Sequence, residues 1–377
     1  MEAFVQIAGA VLLLASLSYA SLIFLFFSGW KKLVRRPYGQ ASALPARVSV
    51  IVAARNEEKN ILTLLQDLVQ QDYPTGRMEV IISDDFSTDQ TAGIVEDFIN
   101  RKDLNGFRLI RREGRERYGS KKAALTFAAN EAKGEIILTT DADCRLSKNW
   151  VSALVRHFKD STMMVAGPVS LTRSGSILDS FQALEFLGLV ASGAGAAGNG
   201  RPFLCNGACL AYRREAFISL GGYEGNEKFK SGDDVFLMHK IKKTYGRGSV
   251  AFALDPEALV KTRAAGNLIS FIKQRARWAS KSSGYRDFLS LFTAITVFVL
   301  SLAISLFFVA GFYYPVCFLL FAGLILCKAV VDFPLMREIL EFTEDKALLK
   351  WIVPFEAVYP FYVLVAALIS FWSGRKW

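Results

Sequence analysis

Three acidic motifs have residue types and spacings that could do chemistry. Asp141-x-Asp143 follows the run Ile136-Ile137-Leu138-Thr139-Thr140. Two carboxylates so spaced at a strand end can reach one hard cation, which then neutralises a diphosphate. A solvated turn would use the same residues, but the apolar run directly before them favours the functional reading. Asp84-Asp85 ends a second apolar run, ahead of Ser87, Thr88 and Asp89. Ser87 or Thr88 can cap a helix there, and the carboxylates can accept from a nucleobase or ribose. Asp233-Asp234 opens the pattern Val235-Phe236-Leu237-Met238. Acids at a helix N-terminus stabilise it by about 0.3–1 kcal/mol. The sharper reading is a general base that takes a proton from an acceptor hydroxyl.

A fourth motif is basic. Gln274-Arg275-Ala276-Arg277-Trp278 lies in an amphipathic pattern that predicts a helix from about Leu268 to Ser282. Such a helix suits a membrane surface. Helical spacing also brings Gln274, Arg277 and Trp278 to neighbouring positions. Arg277 can hold a leaving diphosphate, and Trp278 offers a flat surface to a sugar or lipid headgroup. Cys205-x-x-x-Cys209 does not read as a metal site, since no further Cys or His lies nearby and the chain has two histidines, His157 and His239.

The elements that must position these groups are strands alternating with helices. Val48–Val52, Glu79–Ile82, Phe107–Ile110 and Glu135–Leu138 read as strands. Glu57–Gln70, with Asn56 as N-cap, Thr88–Asn100 and Lys121–Ala132 read as helices. This order predicts an open α/β domain with a mainly parallel sheet, whose ligands sit at the carboxyl ends of the strands. The acidic motifs fall at those ends. No G-x-G-x-x-G follows the first strand and no Walker A sequence is present, so the usual dinucleotide and P-loop readings fail. The Gly/Ala run from Ser192 to Gly200 is the most flexible-looking stretch, and could be a loop over a site.

Around this block the chain turns apolar. Of 377 residues, 52% are hydrophobic and 21% charged, which excludes a disordered chain. Five cysteines exclude a disulfide scaffold. The net charge of +10 comes from 45 Lys+Arg against 35 Asp+Glu. Its clusters, Lys31 to Arg36 and Lys261 to Lys281, flank apolar runs, which suits a cytoplasmic membrane flank rather than nucleic acid. Ala3–Phe27, Leu289–Gly311, Val316–Val331 and Trp351–Trp372 are candidate spans. Lys328 is expected to snorkel, and Arg337–Lys350 to lie on the inner surface. The last span conflicts with the positive-inside tendency at Arg375 and Lys376, and could instead be re-entrant or interfacial. The domain reading is a membrane helix over 1–30, a soluble domain over 47–262, an interfacial helix over 266–283 and a membrane region over 289–372.

The ordered set resembles the membrane-bound family 2 glycosyltransferases, which include cellulose, hyaluronan, chitin and poly-N-acetylglucosamine synthases and ceramide glucosyltransferases. The resemblance covers Val48 to Trp278 and the flanking spans. It rests on Arg55-Asn56-Glu57, Asp84-Asp85-x-Ser87-x-x-Asp89, Thr140-Asp141-Ala142-Asp143, Gly232-Asp233-Asp234 and Gln274-x-x-Arg277-Trp278. It implies a GT-A nucleotide-binding α/β domain facing the cytoplasm, in the cell (inner) membrane. Glu57 and Asp84 or Asp85 would hold the nucleoside, most simply uridine, with Lys121 or Lys122 near the nucleotide. Asp141 and Asp143 would bind the diphosphate through Mg²⁺ or Mn²⁺. Asp234 matches the family's base, with Asp233 beside it, and Gln274, Arg277 and Trp278 would close the acceptor and diphosphate side. The implied reaction is a single inverting displacement from a UDP-sugar. With about four membrane segments and no long C-terminal regulatory domain, a membrane lipid or lipid-linked acceptor is expected over a processive polysaccharide. The processive synthase, acting with a partner subunit or as an oligomer, stays open. A silent scaffold subunit is the alternative from another class, disfavoured by the intact acidic set. A transporter is disfavoured by the few intramembrane charges.

Overall fold

The computed structural model describes residues 2–36, 45–111, 120–225, 233–280, 284–285 and 287–373, with side chains described from residue 9 to residue 370. Gly232, Lys281, Ser282, Arg375 and Lys376, used in the sequence reading, lie outside the described residues. Contacts divide the chain into two units. One holds residues 33–172 and 200–263; the other holds 1–32, 173–199 and 264–377.

The first unit is a sheet with helices. Its strands are β1 (Val48–Ala54), β2 (Met78–Asp84), β3 (Phe107–Arg111), β4 (Ile136–Asp141), β5 (Met164–Ala166), β6 (Val169–Thr172), β7 (Leu210–Arg213), β8 (Val250–Phe252) and β9 (Val260–Arg263). Its helices are α2 (Ile61–Val69), α3 (Thr91–Lys102), α4 (Lys121–Glu131), α5 (Trp150–Val155), α7 (Arg214–Ser219) and α8 (Asp233–Tyr245). Among the described residues the main sheet runs β3-β2-β1-β4-β7-β5-β8, and β6 pairs with β9. β3, β2, β1 and β4 are mutually parallel; β7 is antiparallel to both its neighbours. Val50, Ile51 and Val52 are wholly buried, as are Val80, Ile81 and Ile82. Such continuous apolar strands are what a sheet covered on both faces requires. Ile61, Leu64, Leu65 and Leu68 bury the matching stripe of α2.

Two local expectations differ in detail. Asn56 does not cap α2: it is left-handed (φ 57°), and Asn60 stands at the cap position. Asn tolerates that conformation because its short amide can bond locally. Here its Oδ1 accepts from the Thr88 N–H at 2.8 Å, tying the β1 loop to the β2 loop. α3 starts at Thr91, three residues later than expected, because Ser87, Thr88 and Asp89 are used in those loop bonds.

The second unit is helical: α1 (Glu2–Val34, its last two residues excepted), α6 (Ile177–Gly198), α9 (Leu268–Ser280), α10 (Phe288–Ala310), α11 (Val316–Phe342) and α12 (Ile352–Ser373). Five of these, all but α9, are long and apolar enough to cross a membrane. Four of them overlap the expected spans, with α11 continuing past Val331 to Phe342 and so taking in part of the expected surface segment Arg337–Lys350. Tyr19, Leu300, Ile304 and Ile325 form a core shared by α1, α10 and α11. The Lys31–Glu338 ion pair, at 2.5 Å, and the edge-to-face Trp30–Phe342 contact put the basic end of α1 and the charged end of α11 together.

α6 corrects the sequence reading. Ser192–Gly198 is not a loop but the C-terminal part of a 22-residue helix, with residues 193–198 all buried. Its most apolar stretch is 61% buried by protein, against 22–28% for the other four long helices. Small residues let two backbones meet closely. A Cβ on Gly195 would overlap the Phe26 carbonyl, and one on Gly29 would overlap the Gly195 carbonyl. Asn199 Nδ2 donates to the Leu25 carbonyl at 2.6 Å across the same contact. Lys328 is the second correction. It does not snorkel; it is buried between Asp332 (2.7 Å) and Glu356 (2.5 Å), because two carboxylates lie within reach and solvent does not. α12 is one continuous helix through Pro360.

Gly195→Ala should force α1 and α6 apart and cost about 1–3 kcal/mol. A lower thermal transition of the detergent-solubilised protein would show it; an unchanged transition would mean that the two backbones do not touch there.

Candidate active site

The sheet unit brings the acidic motifs to one edge by register alone. Ala53 of β1 lies opposite Ser83 of β2 and Asp141 of β4, and Ala54 lies opposite Asp84. Asp84 and Asp141 are therefore two strand spacings apart, about 10 Å. That span suits a nucleoside at one end and its diphosphate at the other. Asp84 and Asp85 are 6% and 3% exposed. Asp84 Oδ1 is buried with no hydrogen-bond partner, and a buried acceptor left in that state costs about 1–3 kcal/mol. A ligand donor would recover it. Asp85 Oδ2 lies 3.8 Å from the Arg55 guanidinium.

The loop after β1 presents Glu57. Its N–H donates to Thr91 Oγ1 at 2.7 Å, and its Oε2 accepts from Asn60 Nδ2 at 2.8 Å. Burial raises the Glu57 carboxyl above its ordinary value. The Asn60 bond opposes this, and the charges of Asp143, Asp141 and Asp89 add to the rise. Glu57, Asp141 and Asp143 thus feel one another as a single acidic rim.

The β4 end is held from two sides. Lys121, at the start of α4, pairs with Asp141. Lys122, the next residue, pairs with Asp233 at 2.9 Å. Adjacent lysines on one helix terminus therefore serve two different acidic motifs. Asp143 accepts from Thr262 Oγ1 of β9 at 3.1 Å. Burial, and behind it the charge of Asp141, raises the Asp143 carboxyl above its ordinary value. Among the described residues no three His, Cys, Asp or Glu side chains converge as a complete metal cage. Mg²⁺-type ions commonly take one or two carboxylates and complete their shell with phosphates and water. Two crowded carboxylates, one raised by burial and by its neighbour's charge, fit an ion that arrives with a diphosphate.

Asp234 is placed separately from Asp233. Its Oδ2 accepts from the Gly207 N–H at 2.8 Å, and its Oδ1 from the Val235 N–H at 2.9 Å. The Gly207 carbonyl in turn accepts from Thr139 Oγ1 of β4 at 2.8 Å. Gly207 is thus a strut between the β4 end and Asp234. Of the two acids, Asp233 is engaged by a lysine and Asp234 by backbone N–H groups, which orient a carboxylate without neutralising it.

Gln274, Arg277 and Trp278 lie in the helical unit, on α9. Gln274 Oε1 accepts from Arg275 at 2.5 Å, and the Arg275 guanidinium sits 4.2 Å from the Trp278 ring centre.

Several supporting residues escaped the sequence reading. Thr262 and Gly207 carry no local signal. Asp67 does carry one, a charge on the apolar face of α2: it is buried and takes Arg145 in two bonds, at 2.7 and 3.0 Å. That fork fixes the loop directly after Asp143. Cys209 packs as a small apolar group beneath Trp150, and burial pushes its thiol up to about 12.

Residues 49–221 match the model described as "Glycosyl transferase family 2", and residues 136–331 match "Glycosyl transferase family group 2". An N-acetylglucosaminyltransferase of Rhizobium meliloti (strain 1021) is 30% identical over 297 residues, 74% of this chain and 67% of that protein. A beta-monoglucosyldiacylglycerol synthase of Synechocystis sp. is 36% identical over 125 residues, 33% of this chain and 26% of that protein. Among solved structures, the mannosyltransferase PcManGT from Pyrobaculum calidifontis, in complex with GDP-Man and Mn²⁺, superimposes with a TM-score of 0.66. That match covers 97% of this chain and 99% of the other at 19% identity.

The raised Asp143 gives a stability test. A carboxyl raised in the folded state costs nothing below its unfolded value, about 3.9. The cost grows as pH rises through the raised folded value and is complete above it. Asp143→Asn should therefore melt higher than the wild type at pH 7 without metal or nucleotide, and lose that advantage below about pH 4. Equal or lower melting at pH 7 would show that burial and the Asp141 charge do not raise the Asp143 carboxyl.

Proposed function

The chain belongs to glycosyl transferase family 2, and on that premise we propose that it is an inverting transferase at the cytoplasmic face of the cell membrane. Its donor is a UDP-sugar and its acceptor a membrane lipid or lipid-linked sugar. The observation that carries this reading is the sheet edge, where the partnerless buried oxygen of Asp84 and the Asp141/Asp143 pair lie two strands apart. Five long apolar helices, and a resemblance over a third of the chain to a synthase named for glucosyldiacylglycerol, support a lipid acceptor. The N-acetylglucosaminyltransferase match makes N-acetylglucosamine a candidate sugar beside glucose.

In this reading Asp84, Asp85 and Glu57 hold the nucleoside. Asp143 and Asp141 hold Mg²⁺ or Mn²⁺, which when bound neutralises charge on the departing diphosphate. Lys121 exchanges part of its pairing with Asp141 for the diphosphate. Asp234, aimed by the Gly207 N–H, takes the proton of the acceptor hydroxyl as its oxygen attacks the anomeric carbon. Asp233 stays with Lys122 and fixes the start of α8. Gln274, Arg277 and Trp278 serve the acceptor and diphosphate side.

The deciding assay is nucleotide release by the solubilised protein, with UDP-glucose, UDP-N-acetylglucosamine and GDP-mannose, with Mg²⁺ or Mn²⁺, with and without membrane lipid extract. Release from one UDP-sugar that rises with lipid is expected, and a product ladder of high mass would favour a polymer synthase instead. Asp234→Asn should lower transfer about 10²- to 10⁴-fold while UDP-sugar binding stays near wild type. Comparable turnover would remove Asp234 as the base. Asp143→Ala should abolish the part of UDP affinity that depends on added metal; an affinity that metal still raises as in the wild type would remove the metal role.

A further inference from the structure

Within the helical unit, α6 meets α9 along one of its faces. Gln182, Glu185 and Phe186 lie at i, i+3 and i+4, so they share that face. Gln182 makes a paired amide contact with Ala265, just before α9: Nε2 donates to the Ala265 carbonyl at 2.9 Å, and Oε1 accepts the Ala265 N–H at 2.8 Å. One turn on, Glu185 Oε2 accepts from Arg275 Nε at 2.8 Å and lies 2.6 Å from Nη2. Glu185 Oε1 accepts from Tyr362 of α12 at 3.1 Å. Phe186 then lies against Trp278, with ring centres 6.0 Å apart.

Arg275 is the hub. It is 4% exposed, and its guanidinium packs over Trp278 at 4.2 Å and over Phe271 at 4.8 Å. Its Nη1 donates to Gln274 Oε1 at 2.5 Å. Phe271 in turn stacks on Tyr362, closing the ring of contacts. A buried guanidinium needs a carboxylate, and the planar fork allows one side to bond while a face stacks. Lysine can do only part of this. One side chain therefore fixes both Gln274 and Trp278, and Glu185 fixes that side chain.

We propose that Glu185 and Arg275, with Gln182 setting the entry to α9, are positioning residues that hold Gln274 and Trp278 in their working orientation. Neither Glu185 nor Arg275 touches substrate; they act through the two groups that the preceding section assigns to the acceptor and diphosphate side. The inference rests on that assignment. It also gives α6 a task besides packing: its Gly/Ala end is set on α1, and its Gln182–Glu185–Phe186 face is set on α9.

The test compares Glu185→Gln, Glu185→Asp and Arg275→Lys with the wild type. Each is assayed for sugar transfer to lipid extract, for UDP affinity measured separately, and for thermal transition. Glu185→Gln keeps the shape and removes the charge. Loss of orientation at a reacting site should lower transfer kcat about 10- to 100-fold. UDP affinity should stay within about twofold, since that fraction of an energy unit is what an untouched site shows. Arg275→Lys keeps the charge and loses the fork, and should fall in the same direction. Glu185→Asp keeps the carboxylate and should recover part of the rate. Wild-type kcat in both Glu185→Gln and Arg275→Lys would overturn the proposal. So would a lowered thermal transition in step with lost transfer in every variant, which marks general unfolding. If Glu185→Gln does not fold, Arg275→Lys and Glu185→Asp decide on the same criteria. A wild type that releases no nucleotide from any donor would fail the functional reading itself, an outcome distinct from these.

Discussion

Crowded negative charge at one sheet edge is the constraint that the sheet unit is built around. Parallel strands ending in register bring Asp84, Asp85, Asp141 and Asp143 together whether or not their charges agree. Removing carboxylates from water without partners is costly. The surrounding structure supplies two remedies. Lys121 and Lys122 neutralise one acid of each pair, Asp141 and Asp233. Neutral donors from Thr262, Asn60 and Gly207 orient Asp143, Glu57 and Asp234 without cancelling their charge. Asp84 has one buried oxygen with neither remedy. The acids that neutral donors orient, Asp143, Glu57 and Asp234, are ones the proposed transfer uses, and Asp233, held by Lys122, is the one it can spare.

That division explains which parts were legible in the sequence. A motif at a strand end can be read from a short apolar run followed by acids, because register then places it. The strands of β1 to β4 and the edge carrying Asp84 and Asp141 follow from such runs. What holds the acids cannot be read that way. Thr262 comes from β9, far along the chain, and Gly207 from the stretch before β7. Asn56 looked like a cap by type, yet its amide bonds across to Thr88 and leaves the cap position to Asn60. Local preference for a polar side chain near a helix start does not say which backbone N–H it will find.

The Ser192–Gly198 stretch shows the same limit with glycine. Gly is a loop residue by backbone freedom and a packing residue by size, and sequence alone weighs the first. The second governs here, because α1 passes so close to Gly195 that any side chain would collide. The consequence reaches chemistry: the helix whose Gly/Ala end has a loop-like sequence also carries Gln182, which bonds Ala265, and Glu185, which holds Arg275, by sequence one more basic residue of the Lys261–Lys281 cluster.

Lys328 completes this logic among the helices. Apolar seams between long helices are indifferent to sliding by a turn, whereas hydrogen bonds to a buried charge are not. Such buried pairs add little net stability but can select register. Tyr19 of α1 donates to Asp332 of α11 at 2.8 Å, and Lys328 joins Asp332 to Glu356 of α12. α1 is also tied to α11 by Lys31–Glu338 and to α6 by Asn199. α6 and α12 both reach the Glu185–Arg275–Tyr362 network that holds α9. Every directional bond in that series is between charged or polar groups, most of them buried. A substitution that lets one helix slide by a turn would therefore be felt at Gln274 and Trp278, however far along the chain it lies.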